Sequence, residues 1–400
     1  MTAPASEELT ADVRNENSLA GGSASPSLPG LFLMIDSLQT GGSERQFVAL
    51  TRSLDRNQFR VSLGCIQPIG PLVQGLELAH FPLGGSLYGI RSLRSRIDIS
   101  RHMRRNHASI AHAFDFYSNL TLIPAAKLAG IPVVIGSQRQ LGDLLTNSQS
   151  RAQTMMFRWC DAVVCNSHAA ASRLIDDGLP KNKTRVIWNG IGPEVFASIV
   201  PALPKRPGWR RVGMIARMNS RAKNHSLFLR AAARVLTLVA NVEFVLVGDG
   251  PLRLELEREA ASLGLGERVK FLGDRRDIPA MLGSLDITAL PSDSESLSNA
   301  IIESMAAGVP VVATNVGGNS ELLAHDRGTL VAPRDEAGLA AAIIRLLQDN
   351  AMQERMGHAS RVFAEENFTL DKMRRSHEQL YMELLARKGW KPQLSQSSSA

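Results

Sequence analysis

The chain has 400 residues, of which 44% are hydrophobic and 21% charged, enough apolar content for the cores of two or three globular domains. Its net charge of +7 is unevenly spread: residues 29–205 hold 19 Lys+Arg against 11 Asp+Glu, whereas the rest of the chain is nearly balanced. Three cysteines, Cys65, Cys160 and Cys165, form no CxxC pair, which argues against a disulfide or zinc framework and suits reduced thiols in the cytoplasm.

Residues 1–28 are rich in Ala, Ser, Gly and acids, with no basic start or apolar h-region, so they read as a disordered tail and not as a signal peptide. No run approaches the roughly 18 apolar residues that span a bilayer. From residue 31 onward, "LFLMID" predicts a buried parallel strand, "QTGGSER" a glycine turn and "RQFVALTRSL" an amphipathic helix. "FRVSLGCI", "ASIAHAFDF", "IPVVIGS", "AVVCNS" and "TRVIWNG" repeat the short apolar strand, with helical stretches between them. Such alternation predicts a doubly wound parallel α/β sheet.

"IVPALPKRPGWR" then breaks the pattern as an interdomain linker would. Beyond it the alternation restarts with "RVGMIAR", a helix from about Asn224 to Val239, "VEFVLVGDG", "RVKFLGD", "DITALPS", "VPVVATN" and "GTLVAP". The expected organisation is a first Rossmann-like domain over 29–203, a second over 204–370, a helix over 371–390 packing back on the first domain, and a disordered 391–400. In two such domains the cleft lies between the strand C-termini, and ligands bind there. Loops that follow strands are therefore where chemistry is sought.

Four constellations pass that filter. "SESLSNAIIESMAAGVPVV" follows the strand "DITALPS", with Ser298 as helix cap, Glu295 in the loop and Glu303 near the first turn on the exposed side. The two acids either hold a sugar diol or merely complement a helix N-terminus. Arg217 and Lys223 bracket the loop after "GMIA" and form an anion site suited to a diphosphate, or remain solvated cations. His225 reads as a helix-surface residue. Gly41 and Gly42 permit close approach of a phosphate to the backbone but lack a full GxGxxG pattern, and "VGDGPLR" reads first as a tight turn.

Taken together, the GG turn, Arg217 with Lys223, "GDGP", "LGDRRDIP", and Glu295-x7-Glu303 followed by "AAGVPVV" resemble the retaining glycosyltransferases of family 4, over nearly all of residues 30–385. The resemblance implies the GT-B fold, two Rossmann-like domains facing across a cleft. It implies that Arg217 and Lys223 hold the donor diphosphate and stabilise its departing charge, that Glu303 binds the ribose, and that Glu295 contacts the donor sugar. Gly273, Arg275 and Asp277 would border the base, Ser298 and Asn299 would complete the donor set, and Gly41 and Gly42 would approach the diphosphate from the other domain. Neither a metal nor a resident cofactor is implied, since cations and helix dipoles take the place of a DxD metal site.

The family often carries H-x-H on a strand of the first domain; here "IAHAFDF" keeps His112 and has Phe114 at the second place. His112 is then either a catalytic sugar contact or a hydrogen-bonded core residue, and the role of Asp115 is open. The implied activity is sugar transfer from a nucleotide-diphosphate sugar to a glycan or lipid-linked glycan. The alternatives are a catalytically silent sugar-nucleotide-binding protein or a GT-B-fold epimerase.

One further segment, "RSLRSRIDISRHMRRNH", carries Arg91, Arg94, Arg96, Arg101, Arg104 and Arg105 against the single acid Asp98, with aliphatics at helical spacing. It predicts a helix with a basic face suited to an anionic membrane surface on the cytoplasmic side, or an ordinary surface helix. A nucleic-acid partner is disfavoured, because RNA-reading motifs and interleaved aromatics are missing.

Overall fold

The computed structural model describes residues 28–85, 87, 89–143, 145–197 and 200–390, so the expected tails lie outside the described residues, residue 28 apart. The first sheet comprises β1 (Gly30–Ser37), β2 (Arg60–Gln67), β3 (Ala79–His80), β4 (Ala108–Ala113), β5 (Val133–Gln138), β6 (Ala162–Cys165) and β7 (Thr184–Val186). Its strand order is β3-β2-β1-β4-β5-β6-β7, and the pairs are parallel. The second comprises β8 (Arg210–Ile215), β9 (Val242–Val247), β10 (Val269–Phe271), β11 (Ile287–Leu290), β12 (Val311–Thr314) and β13 (Thr329–Val331), in the parallel order β10-β9-β8-β11-β12-β13.

The helices between them are α1 (Gly42–Ser53), α2 (Ile90–Arg105), α3 (Phe116–Ala129), α4 (Asn147–Phe157), α5 (His168–Asp176), α6 (His225–Leu236), α7 (Arg253–Ser262), α8 (Ile278–Leu282), α9 (Asn299–Ala306) and α10 (Asn319–Leu323). Three more, α11 (Glu336–Gln348), α12 (Asn350–Asn367) and α13 (Leu370–Arg387), close the chain.

Both sheets are covered on both faces, which is why their strands read as continuous apolar runs. In β1, every residue from Gly30 to Ile35 is buried. Side-chain oxygens then start the helices where they leave the strands: Ser167 accepts from the Ala170 N–H, Asn224 from Leu227 and Ser298 from Ile301.

The chain ends by crossing back. Ile191 and Thr369 form a bridge, with Ile191 N–H donating to Phe368 at 2.8 Å and Leu370 N–H donating to Ile191 at 3.0 Å. α13 then lies on the first sheet, where Met373, Leu380, Tyr381, Leu384 and Leu385 join a core containing Leu31, Phe47 and Phe114. Each large side chain so buried contributes about 1.5–3 kcal/mol, so this last helix ties the two halves together. The ends of β1, β4 and β5 are thereby held opposite the ends of β8 and β11.

Candidate active site

At the end of β8 the chain runs through Arg217 into a short turn, Arg221–Lys223, and Asn224 adopts φ +53 to start α6. The turn delivers Lys223 to Glu295, whose Oε1 lies 2.6 Å from the Lys223 Nζ and 2.8 Å from the Ser292 hydroxyl. Glu295 is buried and Lys223 half-buried, so the pair is neither solvated nor isolated. Arg217, just past the end of β8, is half-buried, makes no hydrogen bond to the described residues and acts electrostatically on Glu44 of the first domain. A cation at a strand end, beside a helix N-terminus, is suited to an incoming phosphate.

Glu303 departs from the expectation of an exposed acid. Its side chain is 4% exposed, and Arg45 of α1 in the other domain forms an ion pair with it. Burial raises the Glu303 carboxyl above its ordinary range, and Arg45 opposes the shift. Ser298 caps α9, and Asn299 accepts a 2.6 Å hydrogen bond from Asn189, which in turn accepts one of 2.6 Å from Arg139 at the end of β5. A polar relay thus crosses the cleft from one sheet to the other. The glycine turn lies beside it: a Cβ on Gly42 would come within 3.3 Å of the Asn299 amide, and Gly41 caps α1.

The remaining expected donor residues lie further along the second sheet. Gly273 accepts from the Gly248 N–H at 2.8 Å in an antiparallel bridge, and Arg275 clasps Asp277 through two hydrogen bonds of 2.8 and 2.5 Å. "VGDGP" is a tight turn: Gly248 has φ +134, and a Cβ there would stand 2.2 Å from the Ala216 carbonyl.

His112 requires a correction. It is fully buried, its Nδ1 is 2.8 Å from the Tyr381 hydroxyl and its Nε2 is 2.8 Å from the Ser137 hydroxyl. With both nitrogens engaged, it pins α13 to β4 and β5 and has no group free for a sugar. Burial also drives its pKa well down, aided by His377 and Arg139. His225 is likewise buried, its ring 3.3 Å from the Ala216 carbonyl, because the Asn224 turn folds it under the strand end.

On the first-domain side of the cleft is a cavity of about 760 Å³. Asp36, Glu44, Asp115 and Arg139 line it, at the ends of β1, β4 and β5 and in the first turn of α1. Burial raises the Glu44 carboxyl, against the pull of Arg139 and of Arg217 from the other domain. The strand-end filter would have found Arg139 and Asn189 in "GSQR" and "IWNG". Arg45 carries no such signal, since its partner is 258 positions away.

The basic segment forms α2, yet its arginines divide. Arg96 turns inward to the Leu87 and Leu120 carbonyls at 3.1 and 3.4 Å. Arg104 reaches the Leu128 and Ala129 carbonyls at the end of α3, at 2.6 and 3.2 Å, where a cation complements the helix dipole. Arg91, Arg94, Arg101 and Arg105 are exposed, along with Ile90 (72%) and Leu93 (57%).

Two Rossmann-like sheets whose strand ends bring cations and buried acids together across one cleft define a GT-B glycosyltransferase architecture. Residues 40–195 match the family described as Glycosyltransferase Family 4, and residues 210–349 match Glycosyl transferases group 1. The chain belongs to this family and is a glycosyltransferase. It is 27% identical over 326 residues to the Escherichia coli UDP-Gal:alpha-D-GlcNAc-diphosphoundecaprenol alpha-1,3-galactosyltransferase, covering 75% of this chain and 83% of the relative. It is 28% identical to the N-acetyl-alpha-D-glucosaminyl L-malate synthase of Bacillus anthracis, covering 70% and 74% respectively. Against the lipopolysaccharide core biosynthesis glycosyltransferase LpsE of Rhizobium meliloti the identity is 33%, covering 58% and 66%. The fold is shared with Anabaena HepE, crystallised with UDP and glucose, at a TM-score of 0.77 and 21% identity over 89% of this chain and 100% of that one.

Proposed function

We propose that the chain transfers a sugar, with retention of anomeric configuration, from a nucleotide-diphosphate sugar to a hydroxyl of a glycan or lipid-linked glycan. The observation that carries the proposal is the Lys223–Glu295 pair, joining the loops after β8 and β11, with the half-buried Arg217 in the first of those loops and the buried Glu303 on the helix that follows the second. Arg217 and Lys223 would hold the diphosphate and stabilise the negative charge that grows as it leaves, so cations do the work a metal would otherwise do. Glu303 would accept the ribose hydroxyls, Glu295 would hold the donor sugar, and the capped start of α9 at Ser298 and Asn299 would face the diphosphate. The turn from Gly273 to Asp277 would border the base, and Gly41 and Gly42 would approach from the opposite domain. In front-face substitution the departing phosphate takes the acceptor proton, so no further base is required of the protein.

Relatives named for a lipid-diphosphate acceptor and for lipopolysaccharide core synthesis support the acceptor class, and a structural neighbour with bound UDP supports the donor class. Among the described residues no helix is long and apolar enough to cross a membrane. The exposed Ile90 and Leu93 beside Arg91, Arg94, Arg101 and Arg105 would instead seat the first domain on an anionic surface, at about 1 kcal/mol per basic residue. Thermal shift against UDP-, GDP-, ADP- and dTDP-sugars tests the donor: one base class should raise the melting temperature, and the absence of any shift would remove the proposal.

A further inference from the structure

The start of α5 is completed by the other domain. Its first turn carries no acid of its own, yet its first three amides all find acceptors. The Ser167 hydroxyl accepts from Ala170, and the two carboxylate oxygens of Glu321 accept from His168 and Ala169 at 2.9 and 2.7 Å. Glu321 stands in the first turn of α10, where an acid would ordinarily complement its own helix. α10 is only five residues long, and the carboxylate is spent on α5 instead. A charged acceptor on backbone N–H groups is the stronger kind of hydrogen bond.

The turn before Glu321 is wedged between the domains. Gly317 has φ +46, and a Cβ there would stand 1.8 Å from the Glu295 carbonyl oxygen and 2.8 Å from the Leu141 side chain of the first domain. A Cβ on Gly318 would stand 2.1 Å from the Ser296 carbonyl oxygen and 3.2 Å from the Ser167 side chain. Backbone approaches this close leave room for glycine alone. The Gly318 N–H donates to the Glu295 carbonyl at 3.2 Å, while the Ser296 hydroxyl donates to Asn166 at 2.6 Å and lies 3.4 Å from the Ser167 hydroxyl. Asn166, Ser167 and Ser296 are all buried. The backbone of Glu295 is thus held from the side of the first domain, as its carboxylate is held by Lys223.

We infer that Glu321 is a positioning residue for sugar transfer: by anchoring the Gly317–Gly318 turn to the start of α5, it sets Glu295 where the carboxylate would meet the donor sugar. The inference rests on the transfer reading and adds to it a residue that acts only through Glu295. Its effect falls on the transition state more than on donor binding, because Arg217, Lys223 and Glu303 stay in place to hold the donor when the anchor is lost.

Steady-state kinetics on the full chain, with the nucleotide sugar that raises the melting temperature, test the kinetic half. Glu321→Ala should lower kcat per folded molecule about tenfold and leave the donor KM within about twofold. Glu321→Gln, which keeps an accepting oxygen without the charge, should lower kcat about threefold. The anchor itself is read by cross-linking. Cysteines replacing Ser167 and Ser296 are near enough to join under oxidised glutathione, and Glu321→Ala in that background should slow the joining at least about fivefold. An unchanged kcat per folded molecule, a loss carried entirely by KM, or cross-linking indifferent to Glu321 would overturn the inference. Should Glu321→Ala not fold, Glu321→Gln carries both comparisons at smaller amplitude. Failure of the transfer reading is separable: cross-linking that depends on Glu321 with no turnover of any nucleotide sugar would sink transfer and leave the anchor. Turnover with kcat and cross-linking both indifferent to Glu321 would do the reverse.

Discussion

Arg45 and Glu303 form an ion pair across the cleft between domains, the carboxylate 4% exposed and the guanidinium 46% exposed. The acid proposed for the donor ribose thus has its counter-ion on the opposite domain. Arg45→Met would leave that carboxylate buried without a cation, at a cost of about 1–3 kcal/mol of unfolding free energy. The loss should grow as pH rises above the ordinary Glu range, because burial already raises the Glu303 pKa and only its charged form needs Arg45. Adding Glu303→Gln should recover part of it. Denaturation of the four proteins across pH checks this, and strict additivity would show that the pair does not form in solution.

Tyr381 and His112 make the equivalent link at the back of the site. Tyr381→Phe removes the hydroxyl 2.8 Å from the His112 Nδ1, and should cost about 1–2 kcal/mol while leaving turnover per folded molecule close to wild type. If turnover instead fell far beyond the loss of folded protein, His112 would have to act on the substrate.

Asp36 should leave a pH signature. Burial raises its pKa from 3.8 to about 6, so the folded state binds this proton more tightly than the unfolded state. Its contribution to stability is fully present below about pH 4 and declines as pH climbs to about 6. The stability difference between wild type and Asp36→Asn should therefore become less favourable to the wild type over that window and flatten above it. Urea midpoints at four or five pH values would show it, and a difference that rises with pH would contradict the assignment.

Membrane seating predicts that flotation with phosphatidylglycerol-containing vesicles weakens when Arg91, Arg94, Arg101 and Arg105 become Gln, and that salt weakens it too. Arg96→Gln and Arg104→Gln should act mainly on stability, because those side chains hold neighbouring carbonyls. Equal flotation after removal of the four exposed charges would refute the surface.

The two sheets were legible because strands buried on both faces leave continuous apolar runs, and because Gly, Ser and Asn mark where helices begin. The loops after β8 and β11 were legible for the same reason. What was not legible depends on pairs distant in sequence. Glu303 reads as exposed from the period of α9 alone, and nothing near it in sequence names Arg45, the cation that the other domain sets against it. His112 stood as an open choice until α13 brought Tyr381 back across 269 positions. Glu44 lay in plain view in "GGSER", but its nearness to Asp115 and Arg139 comes only from the sheet order β1-β4-β5.

Arg217, Lys223 and Glu303 are proposed as the donor site, and the decisive measurement is turnover of the nucleotide sugar that shifts the melting temperature, in wild type, Arg217→Ala and Glu303→Ala. Arg217→Ala should lower kcat by about 10²–10³ if its cation acts on charge developing in the transition state. Glu303→Ala should mainly raise KM for the donor. Wild-type kinetics in both variants would rule the donor site out.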